Sequence, residues 1–189
     1  VVTTLSCDFD GETVAARKQG TVLENPVDRG MLEPSIAAFG GRFHLTIRAE
    51  DDHGYVSVSD DGLQWEPITP WRWENGDALH MSTTQQHWLE LSGKLFLVYT
   101  RETEGNQNVF RWRAPLFIAE VDVDKRCLLR DSEQIVFPLV GDPDQPGTVQ
   151  NMGNFHTTVL SGNEALVTVG AVRTSEFVSD TLLAHVTAT

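Results

Sequence analysis

The sequence predicts an all-β fold built from four-stranded antiparallel blades, as in a β-propeller. Short apolar runs with period-two alternation, rich in β-branched and aromatic residues, recur between clusters of Gly, Asp, Asn and Pro. This pattern is typical of strands joined by tight turns. Three hairpin turns contain glycine and are flanked by similar strands, and almost no segment has helical periodicity. Repeats of ~40–50 residues that hold several strands indicate propeller blades.

The three glycine turns define the internal repeat. Gly41, Gly93 and Gly162 are common origins, 52 and 69 residues apart in the sequence. An apolar residue lies two positions before each glycine, and a leucine lies four positions after it. The Pro/Gly-rich stretch 141–147 lengthens the second interval and is predicted to be a loop.

The strands follow the same order in each repeat. A first strand enters the glycine turn, a second leaves it, and a third passes through an acidic turn into a fourth. The predicted strands, in order, are 3–7, the run to 23, 35–39, 43–48, 55–59, 64–68, 94–100, 116–122, 127–137, 157–160, 165–172 and 181–187. The opening pair corresponds to the end of an earlier blade, and the closing strand lacks a fourth. We therefore expect one propeller domain over 1–189, with about three and a half blades of a five- or six-bladed ring.

Composition excludes several classes of function. The 189 residues carry 14 basic and 27 acidic side chains and a formal net charge of −13. Nucleic acid is excluded as a partner because no basic stripe is present. No apolar run approaches the ~20 residues that span a bilayer, so no membrane partner is expected. The two cysteines, Cys7 and Cys127, form either one bridge or two unpaired thiols.

Polar residues at equivalent repeat positions predict a site at one mouth of the central channel. Glutamate, glutamine, histidine and asparagine lie six or eight residues before the turn glycines, and arginines follow the second strands. Period-two alternation places the six- and eight-residue positions on one side of a strand. Such groups bind the hydroxyls and carboxylates of sugars, and burying them without partners would cost a few kcal/mol each. The candidates are Glu33, Arg48, Gln85, His87, Arg101, Arg113, Asn154 and His156.

Each candidate also has a structural interpretation. In that interpretation, Glu33 lies at a solvated rim. His87 and His156 lie in the core or at the rim, and Gln85 and Asn154 cap strand ends. Arg48 and Arg101 would then be surface partners of Glu50 and Glu102. No metal is predicted, because the histidines lack short zinc spacings and the acidic turns lack a complete calcium loop.

One acidic turn resembles the Asp-box of sialidases and other proteins with bacterial neuraminidase repeats. That box has the pattern Ser/Thr-x-Asp-x-Gly-x-Thr-Trp. Asp60, Gly62 and Trp65 match it, whereas Val58 and Gln64 occupy its Ser/Thr and Thr positions. The resemblance implies a structural role, in which the Asp accepts backbone N–H bonds, the Gly takes a positive φ and the Trp packs between sheets.

The segment 33–48, EPSIAAFGGRFHLTIR, also resembles sialidase-like propeller hydrolases, in which Glu-Pro-Ser opens a blade and an arginine closes its second strand. The resemblance implies a secreted or periplasmic glycoside hydrolase that acts on an acidic or highly hydroxylated glycan without a cofactor. Arg48, Arg101 and Arg113 would bind the substrate carboxylate, and Glu33 would act as an acid/base or nucleophile-activating group.

The resemblance also implies a tyrosine nucleophile and an aspartic acid as general acid. The two tyrosines, Tyr55 and Tyr99, lie inside predicted strands. An ordinary glycosidase instead needs a second carboxylate, ~5 Å away for retention or ~6.5–9.5 Å for inversion. The alternative is a non-catalytic propeller whose polar mouth binds carbohydrate or protein. The sequence leaves the oligomeric state open.

Overall fold

The computed structural model describes residues 1–81 and 84–188, and strands dominate this part of the chain. The strands are, in order, β1 (Leu5–Phe9), β2 (Val14–Gln19), β3 (Leu32–Phe39), β4 (Arg42–Arg48), β5 (Gly54–Ser59), β6 (Thr69–Pro70), β7 (His87–Leu91), β8 (Lys94–Tyr99), β9 (Leu116–Asp122), β10 (Cys127–Leu128), β11 (Gln134–Phe137), β12 (Asn151–Ser161), β13 (Glu164–Arg173) and β14 (Val178–Thr187). The helical elements of the described residues are three short 3-10 turns, Phe110–Trp112, Arg130–Ser132 and Pro146–Thr148. No helix within these residues is long and apolar enough to cross a membrane. The prediction of an all-β chain is confirmed.

The strands form separate antiparallel sheets that follow one another along the chain. The β1–β2 hairpin comes first, then blade 1 (β3-β4-β5-β6), blade 2 (β7-β8-β9, with β10 and β11 both on β9) and blade 3 (β12-β13-β14). The first strands of the blades are neighbours: the Trp88 indole N–H donates to the Ser35 carbonyl at 3.0 Å, and the Thr157 hydroxyl donates to the Trp88 carbonyl at 2.7 Å. The sheets are therefore arranged radially around their first strands, as propeller blades are.

The glycine turns of the blades meet at one end of this arrangement. The Ser92 backbone N–H donates to the Gly162 carbonyl at 2.6 Å, which joins the turns of blades 2 and 3. The starts of β3, β7 and β12, together with the ends of β4, β8 and β13, consequently share the opposite end. We call this end the mouth.

The core lies between the sheets rather than within one layer. Separate clusters of buried apolar side chains fill the spaces between the hairpin and blade 1, between blades 1 and 2, and between blades 2 and 3. Trp71 and Trp88 meet edge-to-face at 5.7 Å between blades 1 and 2, and the Trp71 N–H donates to the Thr46 hydroxyl at 3.0 Å. Each aromatic or aliphatic side chain buried there contributes about 1.5–3 kcal/mol. This packing holds the blades in register and so positions the mouth.

The acidic turn of blade 1 corrects one prediction. The Asp61 carboxylate accepts from the backbone N–H groups of Leu63 and Gln64, at 2.8 and 2.7 Å. Asp60 instead binds Arg42 on the exposed surface, so the prediction that Asp60 closes the turn is wrong. The two carboxylates are adjacent in the chain, and the one that reaches the backbone N–H groups inside the turn is that of Asp61.

The other features of that turn are as expected. Gly62 has a φ of +71°, and the Trp65 indole packs between the hairpin and blade 1. Its N–H donates to the Thr4 hydroxyl at 3.0 Å. Both cysteines are free thiols, with Cys7 exposed and Cys127 buried.

Two predicted fourth strands are shorter than expected. Residues 64–68 are not a strand, and only Thr69–Pro70 pairs with β5. The predicted strand 127–137 is divided into β10 and β11 by the 3-10 turn at Arg130–Ser132. The Ser132 hydroxyl accepts from the Glu120 backbone N–H at 2.8 Å. The Ser132 side chain thus binds a backbone N–H of β9 that would pair with a neighbouring strand if β10 and β11 were continuous.

Candidate functional site

Bulges at the mouth redirect two of the predicted site residues. The register of β3 against β4 shifts between Leu32 and Ser35, and that of β12 against β13 shifts between Met152 and Phe155. These irregular stretches contain the residues that lie eight positions before the turn glycines, and bulges re-aim the side chains they carry. Glu33 has a φ of +46°, a left-handed conformation that costs a non-glycine residue about 1–2 kcal/mol. Such strain persists where the surroundings hold the side chain in place.

Glu33 pairs with one member of a group of neighbouring arginines, which we call the arginine cluster (Arg48, Arg111 and Arg113). Its carboxylate Oε1 is 3.0 Å from Nη2 of Arg48, whose side chain is 8 % exposed compared with 40 % for that of Glu33. Burial, followed by the charges of Arg111 and Arg48, lowers the pKa of Arg113, and Glu33 opposes this. Burial is also the main cause of the lowered pKa of Arg48. Three guanidinium groups and the Glu33 carboxylate therefore lie close enough at the mouth to influence one another.

The loop between β8 and β9 is held firmly in place. Asn106 is buried, and its amide donates to the carbonyls of Arg101 and Ala114, at 2.8 and 2.9 Å. The Arg113 carbonyl accepts from the Met152 backbone N–H at 2.7 Å, which ties the loop to blade 3. The arginines of this loop are thus positioned by two blades.

A second group of predicted residues gathers where blades 2 and 3 meet. The rings of His87 and His156 are 5.5 Å apart, and His87 meets Phe155 edge-to-face at 5.2 Å. Oε1 of Gln85 accepts from the Phe155 backbone N–H at 3.2 Å and lies 3.5 Å from Nε2 of His87. Burial and the neighbouring histidine lower the pKa of His87 to about 4. The His87 imidazole is therefore neutral at pH 7.

The remaining two predicted residues lie apart from both groups. Asn154 is exposed in the bulge of β12. Arg101 donates to both oxygens of Glu133, at 2.8 and 2.6 Å, and its guanidinium lies over the rings of Trp73 and Phe117. The expected convergence of Arg101 with Glu33 is therefore not found, because Glu133 and the aromatic rings occupy its guanidinium inside the blade.

Neither tyrosine is prepared for nucleophilic chemistry. The Tyr55 hydroxyl donates to the Asp51 carboxylate at 2.6 Å, and burial together with this carboxylate raises its pKa to about 12. Burial and Glu133 raise the pKa of Tyr99 well above its usual value. A tyrosine nucleophile needs the opposite shift, since the reactive form is the ionised one.

A cavity beside Arg113 was not foreseen from the sequence. Its volume is about 540 Å³, and its lining includes Phe110, Asn151 and Val172. Asn151 is not at one of the repeat positions six or eight residues before a turn glycine, because β12 is longer than the other first strands and begins eleven residues before Gly162. A search for polar residues along the whole start of that strand would have found it.

Comparisons with known proteins support the architecture. No protein-family model and no curated protein matches the chain. Among solved structures, it is similar to a protein of unknown function from Dyadobacter fermentans (TM-score 0.59, 14% identity, 96% of this chain and 44% of that one). It is similar to a mutant of NanB sialidase from Streptococcus pneumoniae (TM-score 0.56, 13% identity, 98% and 27%). It is also similar to an endo-arabinase from Bacteroides thetaiotaomicron (TM-score 0.52, 14% identity, 80% and 55%).

These likenesses concern the fold. The chain spans less than two thirds of the length of each of these structures. Together with the radial sheets, they show that the chain has a β-propeller fold, and the prediction of a propeller is confirmed.

Proposed function

We propose that this chain is part of a larger propeller that hydrolyses an acidic or highly hydroxylated glycan at the mouth. The observation that carries the proposal is the arginine cluster around Glu33, within a chain whose net charge is −13. A local excess of positive charge in a recessed site attracts anions, even on an acidic protein. The carboxylate of a sugar acid is such an anion, and a guanidinium binds it through two parallel hydrogen bonds.

The proposal gives each group a distinct role. Arg48 and Arg113 bind the carboxylate of the substrate. The neutral imidazole of His87, with His156 and Gln85, binds sugar hydroxyls, because a neutral imidazole offers one donor and one acceptor. Glu33 acts as an acid/base or nucleophile-activating group, and the second catalytic group comes from elsewhere in the ring.

The sialidase-like part of the proposal is limited to recognition. The raised pKa values of Tyr55 and Tyr99 argue against a nucleophile from this chain. What remains sialidase-like is an arginine group beside a glutamate, together with the structural likeness to NanB. A secreted or periplasmic location is part of the same proposal, since glycans with acidic units are abundant outside cells.

The test is a chromogenic-glycoside screen of the full-length protein, followed by Glu33→Gln. This substitution keeps the shape of the side chain and removes its proton exchange. For a general acid/base we expect turnover to fall about 10²–10⁴-fold in protein that still folds. Some stability is lost as well, because the buried Arg48 loses the Glu33 carboxylate as a counter-ion. The matched control is Glu90→Gln, an exposed glutamate on β7 at the opposite end of the blade. Turnover that is the same in both variants would contradict the role of Glu33.

A non-catalytic binding module is the second candidate. The ion pair with Arg48 favours it, because this contact holds Glu33 as a fixed structural anion. Glu33→Gln would then change only the affinity, by about 1–3 kcal/mol, the contribution of one charge-assisted hydrogen bond. Arg48→Lys separates carboxylate recognition from charge alone, since lysine lacks the fork of two donors. Glycan-array binding without hydrolysis of any substrate would favour this candidate.

A further inference from the structure

We propose that the cavity beside Arg113 is a subsite for a neutral sugar ring, adjoining the acidic unit at the arginine cluster. The inference rests on the proposed function and extends it, because it makes the substrate an oligosaccharide of at least two different units. The cavity lies between the β8–β9 loop and the mouth end of blade 3. Arg113 belongs both to the arginine cluster and to the cavity lining, so the two sites are continuous.

The walls of the cavity suit a sugar ring. Its volume of about 540 Å³ is within the usual range for small-molecule sites, which are mostly apolar with a few placed polar groups. Phe110 is 60 % exposed, and with Pro146 and Val172 it provides an apolar surface. A pyranose ring presents C–H groups on one face, which pack well against an aromatic ring.

Two buried polar atoms of the lining make no hydrogen bond within the described residues. Asn151 is 8 % exposed, and its Oδ1 accepts no hydrogen bond within the described part of the chain. Its Nδ2 donates to the Val149 carbonyl at 3.0 Å, which fixes the orientation of the amide. Nε of Arg113 is likewise buried and has no hydrogen-bond partner among the described residues. A buried polar group without a partner costs about 1–3 kcal/mol, so a ligand that satisfies both atoms gains affinity.

The pairing of an acceptor with a donor selects the ligand group. Oδ1 of Asn151 requires a donor, and Nε–H of Arg113 requires an acceptor. A hydroxyl is both, whereas an ionised carboxylate accepts only. A hydroxylated, uncharged ring can therefore satisfy both atoms, whereas an ionised carboxylate can satisfy only Nε of Arg113 and would meet the acceptor Oδ1 of Asn151.

The test compares acidic monosaccharides with oligosaccharides that add a neutral ring. Titration calorimetry on the full-length protein would use N-acetylneuraminic acid against sialyllactose, glucuronic acid against glucuronosyl-xylose, and lactose and xylobiose as neutral probes. We expect Asn151→Leu to weaken oligosaccharide binding about 5- to 10-fold and to leave the monosaccharide acids unaffected. Phe110→Ala should weaken oligosaccharide binding more than binding of the acids. The acids are also affected, because the guanidinium groups of Arg111 and Arg113 lie over the Phe110 ring, at 5.1 and 5.8 Å. Phe9→Ala, an exposed phenylalanine on β1, is the matched control.

The outcomes separate this inference from the proposed function. If the acids bind but the added ring contributes no affinity, or Asn151→Leu and Phe110→Ala change nothing, the subsite is refuted and the acidic site remains. If the acids fail to bind while lactose or xylobiose binds in an Asn151-dependent way, the subsite is supported and the acidic function fails. If none of the probes binds, both proposals are overturned. Because Phe110 is exposed, its variant remains informative even if Asn151→Leu fails to fold.

Discussion

Replacing Glu133 by glutamine should show that Arg101 stabilises the fold rather than the substrate. In the native protein, the Glu133 carboxylate accepts from Nε and Nη2 of Arg101 and from the Tyr99 hydroxyl, at 2.5–2.8 Å. The side chains of Arg101 and Glu133 are only 22 % and 13 % exposed. Glutamine keeps one acceptor oxygen and removes the charge, so the Arg101 guanidinium remains beside its aromatic neighbours without a counter-ion.

The expected loss follows from this burial. Removing one partner of a fully buried ion pair costs about 3–5 kcal/mol, because the other charge stays uncompensated. Water reaches part of the Arg101 pair, so we expect about 2–3 kcal/mol. At about 2–4 °C per kcal/mol for a domain of this size, Tm should fall by about 4–12 °C. The double variant Arg101→Met/Glu133→Leu should recover most of the loss, because it leaves no buried charge.

Urea unfolding of the wild type, the single variants and the double variant measures this coupling. Glu120→Gln is the control: Glu120 pairs with Lys94, whose side chain is largely exposed, and exposed pairs contribute less than about 1 kcal/mol. The reasoning is refuted if Glu133→Gln is no more destabilising than Glu120→Gln. It is also refuted if Arg101→Met abolishes binding of acidic glycans while stability stays unchanged.

Three further predictions concern single groups. Burial lowers the pKa of His87 from 6.5 to about 4, so the unfolded chain takes up the His87 proton at a higher pH than the folded one. The contribution of this difference to the free energy of unfolding is complete above about pH 6.5 and is lost as the pH falls to about 4. Urea unfolding across this range should show that slope, and His87→Phe should flatten it. Ultraviolet titration should show no ionisation of Tyr55 below about pH 11, given its pKa of about 12. A tyrosine ionisation near pH 7 that disappears in the Tyr55→Phe variant would instead make Tyr55 a candidate nucleophile again. Asp61→Ala should lower the thermal midpoint more than Asp60→Ala, because only Asp61 closes the turn through backbone N–H groups; equal shifts would contradict that assignment.

Much of the fold could be predicted because the signals are local. Strand alternation and the glycine of a tight turn act within a few residues, so the hairpins and the repeat are visible in one sequence. The same register places Glu33 and Arg48 at one end of blade 1, and their side chains do form an ion pair. The position of His87 and His156 on neighbouring first strands is a consequence of the same repeat, and their rings do meet.

The sequence by itself therefore determined the strand order, the shared turn end and the end at which polar residues collect. Only the tertiary structure decided which charges meet, because that choice depends on which faces of neighbouring sheets come together. Arg48 ends β4, and Arg101 lies two residues beyond the end of the equivalent strand β8. Arg101 is nevertheless bound by Glu133 from a distant part of its own blade, whereas Arg48 binds Glu33. The cavity at Asn151 likewise exists only where a loop of blade 2 lies against blade 3. Local periodicity carries no information about such contacts, since they join residues far apart in the chain.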